Sequence, residues 1–119
     1  MKYLLVLILL CTLSAKANDE DLMTLLCHKW RAVEMVAGKK SLPVASDGDY
    51  TIFRKDFTCQ QKQDEHIEDG TWKYVAADKK IIYDSGDEVI VKELTATKLV
   101  LIIEMDGMQV DVIFKRFEN

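Results

Sequence analysis

The stretch from Lys98 to Phe117 limits the folds open to this chain more than any other. It reads Lys98-LVLIIEM, then Asp106-Gly107, then MQVDVIFKRF. An Asp-Gly pair between two apolar runs rich in β-branched residues is the strongest short-range hairpin signal, because both turn positions can take positive φ. In the second run Met108, Val110, Val112 and Phe114 share one parity, while Gln109, Asp111 and Lys115 share the other. That alternation is how a half-buried strand reads. The chain therefore closes with a hairpin that turns one face inward.

Upstream the same period-two signal recurs. Strands are predicted near Lys29 to Val36, Tyr50 to Arg54, Phe57 to Gln63, His66 to Val75, Lys79 to Tyr83 and Glu88 to Leu94, followed by the two of the final hairpin. Most connections are short and carry turn residues: Lys55-Asp56, Asp64-Glu65, Ala77-Asp78, Ser85-Gly86 and Ala96-Thr97. The exception is the long segment Ala37 to Asp49, which holds the single proline, Pro43. Before the strands, Asn18 or Asp19 is placed to cap a short helix whose first turn carries Asp19, Glu20 and Asp21, where negative charge suits the dipole. Leu22, Leu25 and Leu26 follow at i, i+3 and i+4 as one apolar stripe. So short a helix is marginal alone and must dock on the strands.

Eight consecutive strands joined by hairpins leave two exposed edges unless the first pairs with the last. Closing the sheet removes both edges, and an eight-stranded barrel is the size whose interior fills with side chains or holds one small ligand. The expected fold is all-β: an eight-stranded antiparallel up-and-down barrel with a short N-terminal helix. A two-sheet sandwich is the competitor, because runs such as Lys98 to Met105 are apolar on both parities.

The start of the chain sets a compartment. Met1-Lys2, the apolar run Leu4 to Leu13 and Ser14-Ala15-Lys16-Ala17 form a secretory signal peptide with an Ala-x-Ala site, predicting cleavage after Ala17. The product is then periplasmic or secreted, one domain over 18–119. Cys11 would be the lipidated residue of a lipoprotein leader, but Leu9-Leu10 precede it where such sites want a small residue. No run reaches the ~20 apolar residues of a membrane-spanning helix. Loss of Lys2 and Lys16 leaves 14 basic against 20 acidic residues, a net charge of −6. That balance disfavours nucleic acid, whose binding rests on clustered Lys and Arg. Cys27 and Cys59 remain in a compartment where disulfides persist; they form either one bridge or two buried thiols.

Three stretches, in this order and spacing, give the chain a likeness. They are Cys27-His28-Lys29-Trp30 at the start of the first strand, a central Gly70-Thr71-Trp72-Lys73-Tyr74, and a final Phe114-Lys115-Arg116-Phe117. In this it resembles the small bacterial lipocalin-like domains, with the departure that His28 stands where the family usually has glycine. The resemblance implies an eight-stranded barrel that captures a small apolar or amphipathic molecule. Strand direction then brings the first and last strands together at the helix-plugged end, so Trp30 and Arg116 are expected as structural neighbours, guanidinium over indole. The same bookkeeping places the Lys55-Asp56 turn at that end and Cys59 near Cys27, the geometry of a disulfide.

Site candidates follow from parity. Leu101, Ile103, Met105, Met108, Val110 and Val112 face inward from the last hairpin, joined by Trp72 and, if Trp30 faces in, by Ala32, Glu34 and Val36. Gln61 and Glu34 are the polar members, able to orient a ligand. Leu42, Pro43 and Val44 form the apolar tip of a lid over the open end. The same set describes a hollow lining or a filled core; in the second case the barrel serves as a protein-interaction or inhibitor module. No catalytic constellation is visible, so no enzyme is expected: His28 and His66 lack zinc or triad spacing, and no phosphate loop occurs. No metal or cofactor is implied.

Overall fold

The computed structural model describes residues 21–44 and 48–117. The expected leader, its cleavage site at Ala17 and the Asn18 or Asp19 cap lie outside the described residues. Helix α1 (21–26) leads into nine strands: β1 (Lys29–Ala37), β2 (Lys40–Pro43), β3 (Tyr50–Phe53), β4 (Thr58–Gln63), β5 (His66–Val75), β6 (Lys80–Tyr83), β7 (Glu88–Leu94), β8 (Lys98–Met105) and β9 (Met108–Arg116). Each pairs antiparallel with its sequence neighbour from β3 onward, and β1 pairs with both β3 and β9. The result is a closed eight-stranded antiparallel barrel with one additional strand, β2. No helix among the described residues is long and apolar enough to cross a membrane.

The closing hairpin forms as its sequence dictates. Asp106 and Gly107 both take positive φ, 52° and 77°, and Met105 pairs with Met108 across the two-residue turn. At the other end α1 stoppers the tube. The Trp30 side chain is fully buried, and its indole N–H donates to the Leu26 carbonyl at 2.9 Å, satisfying one of the acceptors that a helix end leaves open. Leu22, Met23 and Leu26 pack against the same core. Trp30 and Arg116 are register partners at the seam, and the Arg116 guanidinium donates to the Ala96 carbonyl at 3.3 Å. Cation stacking beside the seam is found at Arg31 over Phe117, 4.0 Å, and at Lys29 over Tyr50, 4.3 Å.

Three expectations are corrected. The segment Ala37 to Asp49 is not one long loop. Gly38, at φ 62°, turns the chain back so that Lys40–Pro43 pairs with Glu34–Ala37, and Leu42 sits on this strand rather than on a lid. Glu34 and Val36 do not face inward. The β1–β9 register slips between Ala32 and Glu34, so Val33 is a bulge and the parity of β1 inverts beyond it. Met35 and Ala37 therefore pack on the core, while the Glu34 carboxylate accepts from the Ser41 hydroxyl on the hairpin. Finally, Cys27 and Cys59 are free thiols. The Lys55-Asp56 turn does lie beside Cys27, but Cys59 points into the barrel toward Gly70.

The closed half of the barrel is filled by Trp30, Phe53, Trp72, Ile81 and Leu99. Phe53 meets Trp72 edge-on with centroids 5.4 Å apart, and the Trp72 indole donates to the Thr58 carbonyl at 3.0 Å. Both tryptophans thus bury their rings without orphaning a donor. Replacing Trp30 by Ala is expected to cost about 3–5 kcal/mol. Replacing it by Phe should cost about 1–3 kcal/mol, because the indole hydrogen bond and part of the ring packing are lost, while the Leu26 carbonyl keeps the His28 N–H at 2.8 Å. Urea unfolding followed by far-ultraviolet circular dichroism measures both, and a Phe variant as stable as the parent protein would show that the indole hydrogen bond contributes nothing.

Candidate functional site

Unequal strand lengths open the barrel wall. β5 has 10 residues and β6 only 4, so β6 reaches no higher than the Trp72–Tyr83 pair. Above Trp72, β5 keeps β4 on one side, and among the described residues no strand pairs with its other edge. Across the gap, β7 pairs with β8 only as far as Ile90–Ile102, leaving Ile103–Met105 bonded to β9 alone. The missing upper halves of β6 and β7 make a notch two strands wide. Its sill is the turn at residues 84–87, where Asp87 O accepts from Tyr83 N and Gly86 N donates to Tyr83 O, both at 2.9 Å.

This sill is stitched to β5. Asp84 N donates to Thr71 O at 3.0 Å, and Thr71 N donates back to the Asp84 Oδ1 at 3.2 Å. Gly70 permits the approach: a Cβ at that position would stand 2.7 Å from the Asp84 carboxylate and 3.6 Å from Cys59 Sγ. A side chain at 70 would force the Asp84 carboxylate to shift.

Behind the notch lies a cavity of about 700 Å³, within the ~300–1,000 Å³ range of small-molecule sites. It crosses the open half of the barrel from Glu68, Asp84 and Glu104 at the entrance to Thr51, Gln61 and Phe114 on the far wall. Val89, Leu101 and Ile103 supply apolar surface, while Thr51, Gln61, Gln63 and Tyr83 supply neutral polar groups. Both alternatives from the sequence thus hold in different halves: the closed half is packed and the open half is hollow.

The residues nominated by parity fall into separate places. Gln61, Leu101 and Ile103 line the cavity. Trp72, Val110 and Val112 are buried in the core, with Ala32 packed against it. Met105 and Met108, 46% and 56% exposed, sit at the tip of the last hairpin, and Leu42 is 56% exposed on β2. Missed from sequence were Thr51, Gln63, Glu68, Gly70 and Tyr83. The signal that could have found them is the mismatch between a long fifth strand and a short sixth one.

Two ionisable groups in the wall hold their protons more tightly than usual. Burial chiefly raises the Cys59 thiol above its ordinary 9.0, with the Asp84 charge adding to it. Burial likewise raises the Tyr83 phenol above 10.0, reinforced by neighbouring Cys59 and Asp87 and opposed by a hydrogen bond with Gln61. Cys27 is raised too, mainly by burial. Each group is neutral when folded and ionises more easily when unfolded, so its contribution to stability is full below the unfolded value and is lost as pH rises through the folded one. The fold is accordingly expected to lose stability progressively above pH ~9. Urea midpoints measured across the alkaline range check this, and a stability that rises there would contradict it.

Comparison of the chain with family models, with curated protein sequences and with solved structures returned no match. The likeness to lipocalin-like proteins therefore rests on the closed eight-stranded antiparallel barrel itself.

Proposed function

We propose that the protein is an exported barrel that binds one small amphipathic molecule, taken in through the notch above the turn at 84–87. The leader-like sequence Leu4 to Ala17 supports export. The cavity of about 700 Å³ carries the binding reading. A chain that could have filled this barrel with side chains, as it does around Trp30 and Trp72, keeps half of it open. Eight-stranded barrels have room for one small ligand, and apolar pockets with a few convergent polar groups are the usual shape of such sites. In this reading Leu101, Ile103 and Val89 receive the apolar part of the ligand, and Gln61, Thr51 and the Tyr83 hydroxyl orient its polar part.

Nile red, a neutral apolar dye, is expected to bind saturably at one site per chain, with a blue-shifted and enhanced emission. Ile103→Trp fills the cavity from its partly exposed wall and should abolish that binding while leaving the far-ultraviolet spectrum unchanged. Failure to saturate, or binding that survives Ile103→Trp, would overturn the reading.

A further inference from the structure

The cavity is charged in one sense. The residues around it include Glu68, Asp69, Asp84, Asp87, Glu88 and Glu104 and no Lys, Arg or His; Glu68 shares the inward parity of Gly70 and Trp72, whereas Asp69 faces outward and accepts from Gln60 Nε2 at 2.8 Å. These acidic residues border the notch on three sides: Glu68 and Asp69 on β5, Asp84, Asp87 and Glu88 along the sill, and Glu104 on β8. Glu88 is ion-paired with Lys80 at 2.8 Å, and Glu68 stands 3.9 Å from the exposed His66 imidazole. No described lysine or arginine is ion-paired with the other four. Three basic side chains are held elsewhere: Arg31 and Lys29 stack on Phe117 and Tyr50 at the closed end, and Lys92 is tied to Asp111 on the outer face.

We propose that the molecule this cavity takes is a cationic amphiphile, an aliphatic ammonium whose head rests among the notch carboxylates and whose apolar tail runs inward over Leu101 and Ile103. This rests on the reading of the cavity as a ligand site. A cleft of one charge sign with low-dielectric walls concentrates the opposite charge, and a cation entering it gives up little hydration, because carboxylates and neutral polar groups replace the water. An anionic amphiphile such as a fatty acid meets the same carboxylates as repulsion. The buried groups behind the notch feel that potential: Asp84 adds to the rise of the Cys59 thiol and Asp87 to that of the Tyr83 phenol. The interior itself offers no cation for an acidic head group.

Isothermal titration with three probes of equal tail length, decyltrimethylammonium, decanol and decanoate, tests the charge separately from the cavity. The ammonium is expected to bind about tenfold more tightly than the alcohol, and decanoate more weakly than either. The advantage of the ammonium over the alcohol should shrink between about 0.02 M and about 0.5 M salt, as screening shortens the reach of the carboxylates. It should also shrink in Glu68→Gln/Asp87→Asn, which removes two charges and keeps their volumes. An alcohol or decanoate that binds as well as the ammonium, or an ammonium advantage untouched by salt and by the double variant, would overturn the charge assignment while leaving the ligand site intact. If none of the three saturates, or if Ile103→Trp leaves their binding unchanged, the ligand site itself is wrong and the assignment goes with it.

Discussion

Seven register pairs between Trp30–Ala37 and Val110–Arg116 turn an open meander into a tube. An antiparallel sheet of this length would otherwise expose two edges, each a template for pairing with another chain. Closure also decides where everything else goes. It brings Trp30 beside Arg116 at the end stoppered by α1, sets Phe117 N on the Lys29 carbonyl at 2.8 Å, and leaves the opposite end to the hairpins. The single bulged residue at Val33 lets β1 follow the curvature, at the cost of inverting its parity halfway along.

Within the tube the side chains divide the volume unequally. Large aromatic residues crowd the closed half, where Trp30, Phe53 and Trp72 share one cluster and both indole N–H groups reach backbone carbonyls. The open half loses wall because β6 and β7 stop early, and the resulting notch gives the interior a lateral opening. Gly70 is part of that design: its missing side chain lets the Asp84 carboxylate bind Thr71 N and fasten the sill to β5. The notch thus follows from strand length, and one glycine lets its sill close onto β5.

Most of the architecture was legible in the order of residues, because strand periodicity and turn chemistry are local signals. The eight barrel strands lie within two residues of the expected spans, and the Asp106-Gly107 turn is the one that pair favours. β2 escaped because Lys40–Pro43 is short and contains the proline, so its pairing depends on the Gly38 turn rather than on its own pattern. Glu34 and Val36 were misplaced because a bulge leaves no trace in alternation until the partner strand is known. Cys27 and Cys59 stay apart as free thiols: strand direction brings Phe53, the register partner of Cys59, to the His28 carbonyl, but which way a thiol points depends on register and on the shape of the wall. The cavity was the least legible feature. Individual residues such as Gln61, Leu101 and Ile103 could be nominated by parity, but the hollow arises from where β6 ends relative to β5, a tertiary fact.

The most direct measurement of barrel closure is the set of cross-strand nuclear Overhauser contacts between β1 and β9 in solution. Closure through the Val33 bulge predicts backbone contacts joining Met35 to Val112 and Ala37 to Val110. Contacts joining Glu34 to Val112 and Val36 to Val110 would mean an unbulged register, and an absence of contacts between the two strands would mean that the sheet is open; either result contradicts the account.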